Sequence, residues 1–220
     1  MSAVAAIVWK DLVLELRTRE VLTSTALFAL LVVVTFSFAL DLRLVVAREV
    51  VPGAFWVTLI LSALLGLNRV LAIELEGDTF EGLRIAPVDR TTIFAAKFLV
   101  NLLFLFWIAV VSAIAFSVFF NLGFQWVGLA VAVVLGSIGI AAVGTVFAAM
   151  ATSTRAREAL LPALMLPITS PVVIAAVRAT EFSIDGQGIE RWGIWLSVLI
   201  VFDIVFVALS YISFEFVVEE

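Results

Sequence analysis

Charged residues divide this chain into long apolar runs. Residues 21–40 carry no charge, and a second uncharged run extends over 98–154. About 20 apolar residues make a helix long enough to cross a bilayer. The second run is too long for one crossing, and the polar turn at 121–125 divides it in two. The pattern predicts six spans: 21–40, 50–68, 98–120, 124–150, 159–177 and 192–214.

The predicted fold class follows from the lipid environment of these apolar runs. Only helices and closed barrels satisfy their backbone hydrogen bonds inside lipid, and the ten-residue alternating strands of a barrel are absent from the sequence. We expect an all-α polytopic membrane protein, with one transmembrane domain over 1–220. An N-terminal interfacial helix (1–20) and a short surface helix within 69–97 complete the predicted architecture.

Composition strengthens this interpretation and excludes several functions. Hydrophobic residues make up 64% of the chain and charged residues 14%, with a mean hydropathy of +1.24. Soluble domains are about half apolar and a quarter charged. The net charge of −5 argues against nucleic acid as a partner. The absence of cysteine and histidine excludes disulfides, thiolate metal sites and a histidine base.

The distribution of lysine and arginine predicts the orientation. A cleaved signal peptide has a short basic start and a brief apolar core. The first apolar run here follows twenty residues with many charges and is itself twenty residues long, so it is interpreted as a retained span. Nine of the basic residues fall on the side of the N-terminus and four on the other side. Because cytoplasmic loops carry the excess of lysine and arginine, both termini are expected in the cytoplasm.

The N-terminal segment has the pattern of a helix at the membrane surface. Val8, Trp9, Leu12 and Leu16 share one helical face, with charged residues elsewhere. This favours a helix lying in the lipid interface, with Trp9 as its anchor. The alternative is a plain helical lead-in to the first span.

The segment 69–97 predicts a short surface helix between two long membrane helices. Gly77 can end the preceding helix, and Asp78 or Thr79 can cap the next one. Glu81 suits its first turn, and Pro87 stops it.

Acidic and apolar residues around this short helix suggest a partner surface. Phe80 and Leu83 give it a small apolar face. Glu74 and Glu76 oppose the dipole at a helix C-terminus, by roughly 0.3–1 kcal/mol each. A basic partner surface would explain their presence; a solvated acidic loop is the alternative.

The same segment resembles a family signature. The run Glu74, Gly77, Glu81, Leu83 and Pro87, followed by Lys97, is similar to the motif of ABC-2-type permeases, where it forms the coupling helix that docks on the ATPase. Within that superfamily the chain resembles the CcmB family of cytochrome c maturation. Two further stretches carry this resemblance, PGAFWVTLILSALLGLNR at 52–69 and LLPALMLPITSP at 160–171.

The resemblance implies partners, a cargo and a location in a bacterial inner membrane. It implies a separate ATPase, CcmA, together with CcmC, CcmD and the haem chaperone CcmE, with haem as the substrate of the complex. ATP would bind the partner, because neither lysine of this chain lies in the Gly-Lys-[Ser/Thr] run of a P-loop. The chain is therefore interpreted as a homodimeric permease and not as an enzyme.

Polar and helix-breaking residues inside the spans are further candidates. Pro167 and Pro171 each remove a helical hydrogen bond, so the helix is expected to bend or unwind there. The bend could serve as a hinge, form the wall of a substrate groove, or be only a static kink. Asp203 lies mid-span and should face protein or water, on a transport path or as a structural contact. Small residues recur in the fourth span and would allow another helix to approach closely, either across a seam between two copies or within one subunit. They are Gly128, Ala132, Gly136, Gly144 and Ala148.

Haem ligation by this chain is not expected. Protein haem is held mainly by His, Cys, Met or Tyr, and only methionines and Tyr211 are present. Two alternatives remain open: another ABC-2-type exporter (of a drug, lipid or glycan), and a membrane scaffold that transports nothing.

Overall fold

The computed structural model describes residues 2–39, 44–76, 89–152, 157–186 and 192–217, and their side chains except at 44–47, 68–76, 152, 157–160 and 215–217. These ranges form seven helices and contain no strand. The helices are α1 (Ala3–Thr18), α2 (Glu20–Ala39), α3 (Leu44–Glu76), α4 (Arg90–Phe120), α5 (Trp126–Thr152), α6 (Arg157–Ile184) and α7 (Gly193–Val217).

Helices α2 to α7 each contain a stretch long and apolar enough to cross a membrane, by length and composition. The stretches are Glu20–Ala39, Arg48–Leu67, Arg90–Phe120, Trp126–Ala151, Leu161–Ile184 and Gly193–Phe214. The predicted all-α polytopic fold with six spans is thus confirmed. Several helices exceed the predicted spans, because charged residues such as Arg90 and Arg178 continue the helices beyond their apolar sections.

Helix α5 lies at the centre of the bundle. It packs against α3, α4, α6 and α7, and its small residues allow these close contacts. A Cβ atom added at Gly128 would come within 2.6 Å of the Trp192 ring, and one at Gly144 within 2.8 Å of Leu67. The row of small residues therefore packs within one subunit, and the interpretation of a seam between copies is not needed to explain it.

The main core combines apolar packing with buried hydrogen bonds. Trp56 is fully buried and contacts Phe55 edge-on, with ring centroids 5.7 Å apart. Its indole N–H donates to the hydroxyl of Thr180 at 2.9 Å and so joins α3 to α6. Hydrophobic burial adds little between helices in lipid, so van der Waals packing and such hydrogen bonds hold the bundle together.

Two features fix the connections at the end of the bundle where α4 passes to α5. Asn121 adopts a left-handed conformation (φ 49°) and ends α4, as the predicted tight turn requires. Two reciprocal hydrogen bonds then join α5 to α6: Gln125 N–H donates to the Ser183 carbonyl at 3.0 Å, and the Ser183 hydroxyl donates to the Gln125 carbonyl at 2.8 Å. These bonds explain why α6 continues to Ile184, past the predicted end of its span.

Candidate functional site

Two of the predicted coupling residues, Glu74 and Glu76, lie at the end of the described part of α3. The other five predicted coupling residues lie outside the described residues; they are Gly77, Phe80, Glu81, Leu83 and Pro87. Their assignment to ATPase coupling therefore stays a prediction.

The structure does describe the surroundings into which this segment leads. Helix α4 begins at Arg90, and its first turns enter a small apolar cluster separate from the main core. We call this cluster the α1-end cluster. It comprises Ile7 of α1, Ile93, Phe94 and Ala96 of α4, Val146 and Ala149 of α5, and Phe214 of α7. The first and last described helices thus meet at the end of the bundle where the coupling segment lies.

An ion pair attaches α1 to α4 beside this cluster. Lys97 Nζ lies 2.9 Å from Asp11 Oδ2, and the two side chains are only 10% and 12% exposed. Lys10 contacts the other carboxylate oxygen of Asp11 at 3.0 Å but is 44% exposed. Little water screens the Lys97–Asp11 pair, so it is a stronger constraint than a surface salt bridge.

The corner between α1 and α2 is fixed by a second carboxylate. Arg19 alone separates the two helices and adopts a left-handed conformation (φ 55°). The buried Glu15 side chain accepts a hydrogen bond from the Leu22 N–H at 2.8 Å. This N–H belongs to the first turn of α2, which has no helical acceptor of its own. The α1–α2 angle is therefore set by side-chain chemistry.

The N-terminal helix agrees only partly with the predicted face. Trp9 and Leu16 are 64% and 62% exposed, as an interfacial helix would require. Val8, predicted on the same face, instead packs against the α1-end cluster. Sequence periodicity could not separate a lipid-facing side from a bundle-facing side, because both are apolar.

Asp203 lies in the interface between α7 and α5. It is 7% exposed, which agrees with the expectation that it faces protein. Its carboxylate lies against Gly139, where an added Cβ atom would come within 2.9 Å of Oδ1. Both carboxylate oxygens are buried without a hydrogen-bond partner among the described residues. Ser210, two turns further, donates to the Ala142 carbonyl at 3.2 Å in the same interface. Whether Asp203 acts in transport stays a prediction.

Pro167 and Pro171 lie inside α6, which remains helical over its full length. The expected unwinding is therefore not seen. Pro171 lacks the N–H that would normally bond the Pro167 carbonyl. The Ser170 hydroxyl replaces it, donating to the Pro167 carbonyl at 2.8 Å. A local side chain thus satisfies the freed acceptor, as lipid requires.

Hydrogen bonds between helices were not predicted from the sequence. Asn101 of α4 donates to Thr145 of α5 at 2.8 Å, and Trp56 bonds Thr180 across α3 and α6. Isolated polar residues within apolar runs were the available signal, but their partners depend on which helices become neighbours.

Three side chains in the described part of the chain belong to types that can ligate haem. Met165 is fully buried in the main core, and its thioether lies close to Gly144. Tyr211 is 48% exposed and contacts Phe94 of the α1-end cluster edge-on. Met150 is 37% exposed near the end of α5. Met150 adjoins Ala149 of the α1-end cluster, whereas Met165 belongs to the main core. The expectation that this chain does not ligate haem stays a prediction.

Comparison with known proteins assigns the family. The CcmB protein family model matches residues 2–219. A Rhodobacter capsulatus protein named "Heme exporter protein B" is 26% identical over 193 residues, covering 84% of this chain and 85% of that protein. Proteins of the same name from Bradyrhizobium diazoefficiens (26% over 192 residues, 84% of each chain) and Paracoccus denitrificans (29% over 136 residues, 60% and 62%) are also similar. With the match extending over nearly the whole chain, the protein belongs to the CcmB family.

Proposed function

We propose that this chain is the membrane-spanning permease subunit of a haem exporter that a separate ATPase drives. The observation that carries the proposal is the family match over 2–219, together with relatives named for haem export. Six membrane-spanning candidates in one bundle give the chain the architecture that such a subunit needs.

The proposed mechanism begins at the coupling segment. Two copies of the chain would each dock one ATPase, CcmA, through Phe80, Glu81 and Leu83. Glu74 and Glu76 at the end of α3 would offer negative charge to basic residues of the ATPase. Because the segment lies between α3 and α4, movement of the ATPase would displace both helices together. The Lys97–Asp11 ion pair would carry that movement to α1, which it joins to α4.

Haem is the proposed substrate of the complex, and its ligation is assigned to partners. The chain lacks histidine and cysteine, two of the usual haem ligands. CcmC, CcmD and the chaperone CcmE would complete the assembly. In this arrangement ATP hydrolysis releases the haem-loaded chaperone, and this subunit offers haem at most an apolar wall.

A charge reversal at Glu81 tests the coupling. Glu81→Lys should reduce co-purification of the ATPase about tenfold or more, because a repulsive contact replaces an attractive one. Asp185→Lys is the matched control, since Asp185 is an exposed acid at the other end of the bundle. The measurements are ATPase recovery from detergent-solubilised membranes and ATP turnover of the complex.

The outcomes separate the alternatives. Full ATPase recovery and normal turnover in Glu81→Lys would contradict the coupling assignment. ATP turnover that is the same with and without this chain would favour a scaffold that transports nothing. Complementation of cytochrome c maturation in a deletion strain tests the cargo, and its failure alongside intact ATPase coupling would favour another ABC-2-type substrate.

A further inference from the structure

We propose that α1 binds anionic phospholipid headgroups through Arg17 and Arg19, beside an apolar side that enters the lipid. The inference concerns the outer surface of α1 and does not depend on the substrate of the complex. It begins from the three sides that burial assigns to this helix.

One side of α1 faces the bundle and uses its acidic residues internally. Ile7 and Glu15 are buried there. Asp11 is paired with Lys97, and the Glu15 carboxylate bonds the first turn of α2. Both carboxylates of α1 are therefore engaged by the protein and contribute little negative charge to the outer surface.

A second side is apolar and exposed. Trp9 and Leu16, seven residues apart, share this side and are 64% and 62% exposed. Two large hydrophobic side chains on one helical face require hydrocarbon or another apolar surface. A tryptophan at this position suits the boundary between headgroups and acyl chains.

The third side is basic. Lys10 and Arg17 each follow a residue of the apolar side by one position, which is about 100° around a helix. Arg17 and Arg19 are exposed, and neither has an ion-pair partner among the residues with described side chains. Exposed Glu20 follows directly and lowers the local positive charge. Counting Lys97, four cations and three carboxylates meet around α1; of the carboxylates, Glu15 is buried and Asp11 is paired with Lys97.

Chain connectivity sets the depth of these arginines. Arg19 is the only residue between α1 and α2, and the first membrane-spanning candidate begins at Glu20. Arg17 and Arg19 therefore lie within three residues of the start of a span, at the level of lipid headgroups. An acidic protein segment is the alternative partner, but it would leave Trp9 and Leu16 without an apolar environment. Lipid satisfies both sides at once.

The experiment measures which lipid surrounds α1 in the full chain. The chain has no cysteine, so a bimane fluorophore can be attached at one chosen position through a single introduced cysteine. We choose Val13→Cys, because Val13 is half-buried and lies between the apolar and basic sides of α1. The protein is placed in phosphatidylcholine nanodiscs with one-fifth phosphatidylglycerol. In one sample phosphatidylglycerol carries the spin-label quencher, and in a second sample phosphatidylcholine carries it, with the same mole fraction of labelled lipid in both. Each basic side chain at a membrane surface enriches anionic lipid by about fivefold, so phosphatidylglycerol should quench at least about twice as strongly.

Charge removal and position provide the controls. Arg17→Gln with Arg19→Asn should bring the quenching ratio to about one, and asparagine tolerates the left-handed conformation at position 19. Arg178→Gln, which removes an exposed arginine elsewhere in the bundle, should leave the ratio unchanged. Bimane at Val118, exposed near the end of α4, should show no preference. Added salt should lower the ratio at position 13.

Two results would overturn the proposal. Equal quenching by both lipids in the unaltered chain would show that the arginines do not select anionic lipid and would favour an acidic protein partner. A preference that persists in the double variant would assign the anionic lipid to other residues.

Discussion

At the scale of single residues, close contacts at glycine positions decide how closely the helices approach one another. Gly136 of α5 lies against the ring of Trp56, which is fully buried between α3 and α6. The ring cannot move aside without breaking its hydrogen bond to Thr180. In membranes, where packing replaces the hydrophobic effect between helices, such a contact contributes directly to stability.

Gly136→Ala should therefore destabilise the bundle. The added methyl group collides with the Trp56 ring, and overpacking of this kind costs about 1–3 kcal/mol. The matched control is Gly53→Ala, because a Cβ atom at Gly53 meets nothing within 4 Å. Thermal unfolding in detergent, followed by tryptophan fluorescence, is the measurement. An equal effect of both substitutions would contradict the role assigned to the Gly136–Trp56 contact.

Asp203 differs from this apolar contact, because it places a carboxylate against the backbone of Gly139 inside the bundle. Its two oxygens are buried without a hydrogen bond among the described residues. A charge at mid-membrane costs about 2.5–3.5 kcal/mol on insertion scales, so Asp203→Asn should be expressed at normal levels and should support normal cytochrome c maturation. Asp203→Leu tests the loss of all polarity at the same site, and Ser210→Ala is a control in the same interface.

The maturation assay separates the two interpretations of Asp203. A structural residue lets asparagine function. Failure of Asp203→Asn as complete as that of Asp203→Leu, with expression unchanged, would instead assign the carboxylate to transport.

At the scale of secondary structure, α1 is an arm held at three points. The α1-end cluster, the Lys97–Asp11 ion pair and the Glu15 bond to α2 each constrain it. Two of these contacts involve the first turns of α4, directly after the coupling segment. The position of α1 should therefore depend on the position of α4.

Removing the ion pair should loosen this arm. Lys97→Met leaves the Asp11 carboxylate largely buried with only the exposed Lys10 beside it, and breaking a buried pair costs about 3–5 kcal/mol. A spin label at Ala6, exposed on α1, should become more mobile. Lys10→Met is the control and should have little effect, because Lys10 is 44% exposed. Equal mobility in both variants would show that the Lys97–Asp11 ion pair does not hold α1.

At the scale of the whole molecule, the first and last described helices meet at the end of the bundle where α4 begins, after the coupling segment. Ile7 of α1 and Phe214 of α7 belong to the same cluster. An even number of spans is consistent with this arrangement. The excess of lysine and arginine at this end predicts that it faces the cytoplasm.

Cysteine accessibility tests this orientation. Asp185→Cys, at an exposed position just after α6, should react with a membrane-impermeant maleimide added to whole cells. Thr79→Cys, in the coupling segment, should react only after the membrane is opened. Ser183 is unsuitable as a probe because it is buried and bonded to Gln125. Labelling of position 79 in intact cells, with position 185 protected, would mean that the orientation is inverted.

The sequence by itself determined the features that depend on local composition. Apolar runs longer than a bilayer is thick specify spans wherever they occur, so the six helices and the turn at Asn121 could be predicted. The coupling motif was recognised by its resemblance to a family signature within one continuous segment, and its role stays a prediction.

The tertiary structure decided which residues meet across helices. In lipid, all helix faces are apolar, so hydropathy does not show which face is buried. Only the packed bundle placed Asp11 against Lys97, 86 positions away, and Trp56 against Thr180, 124 positions away. It also showed that the small residues of α5 pack within the subunit. These partners depend on the order in which the helices surround α5, which local periodicity does not encode.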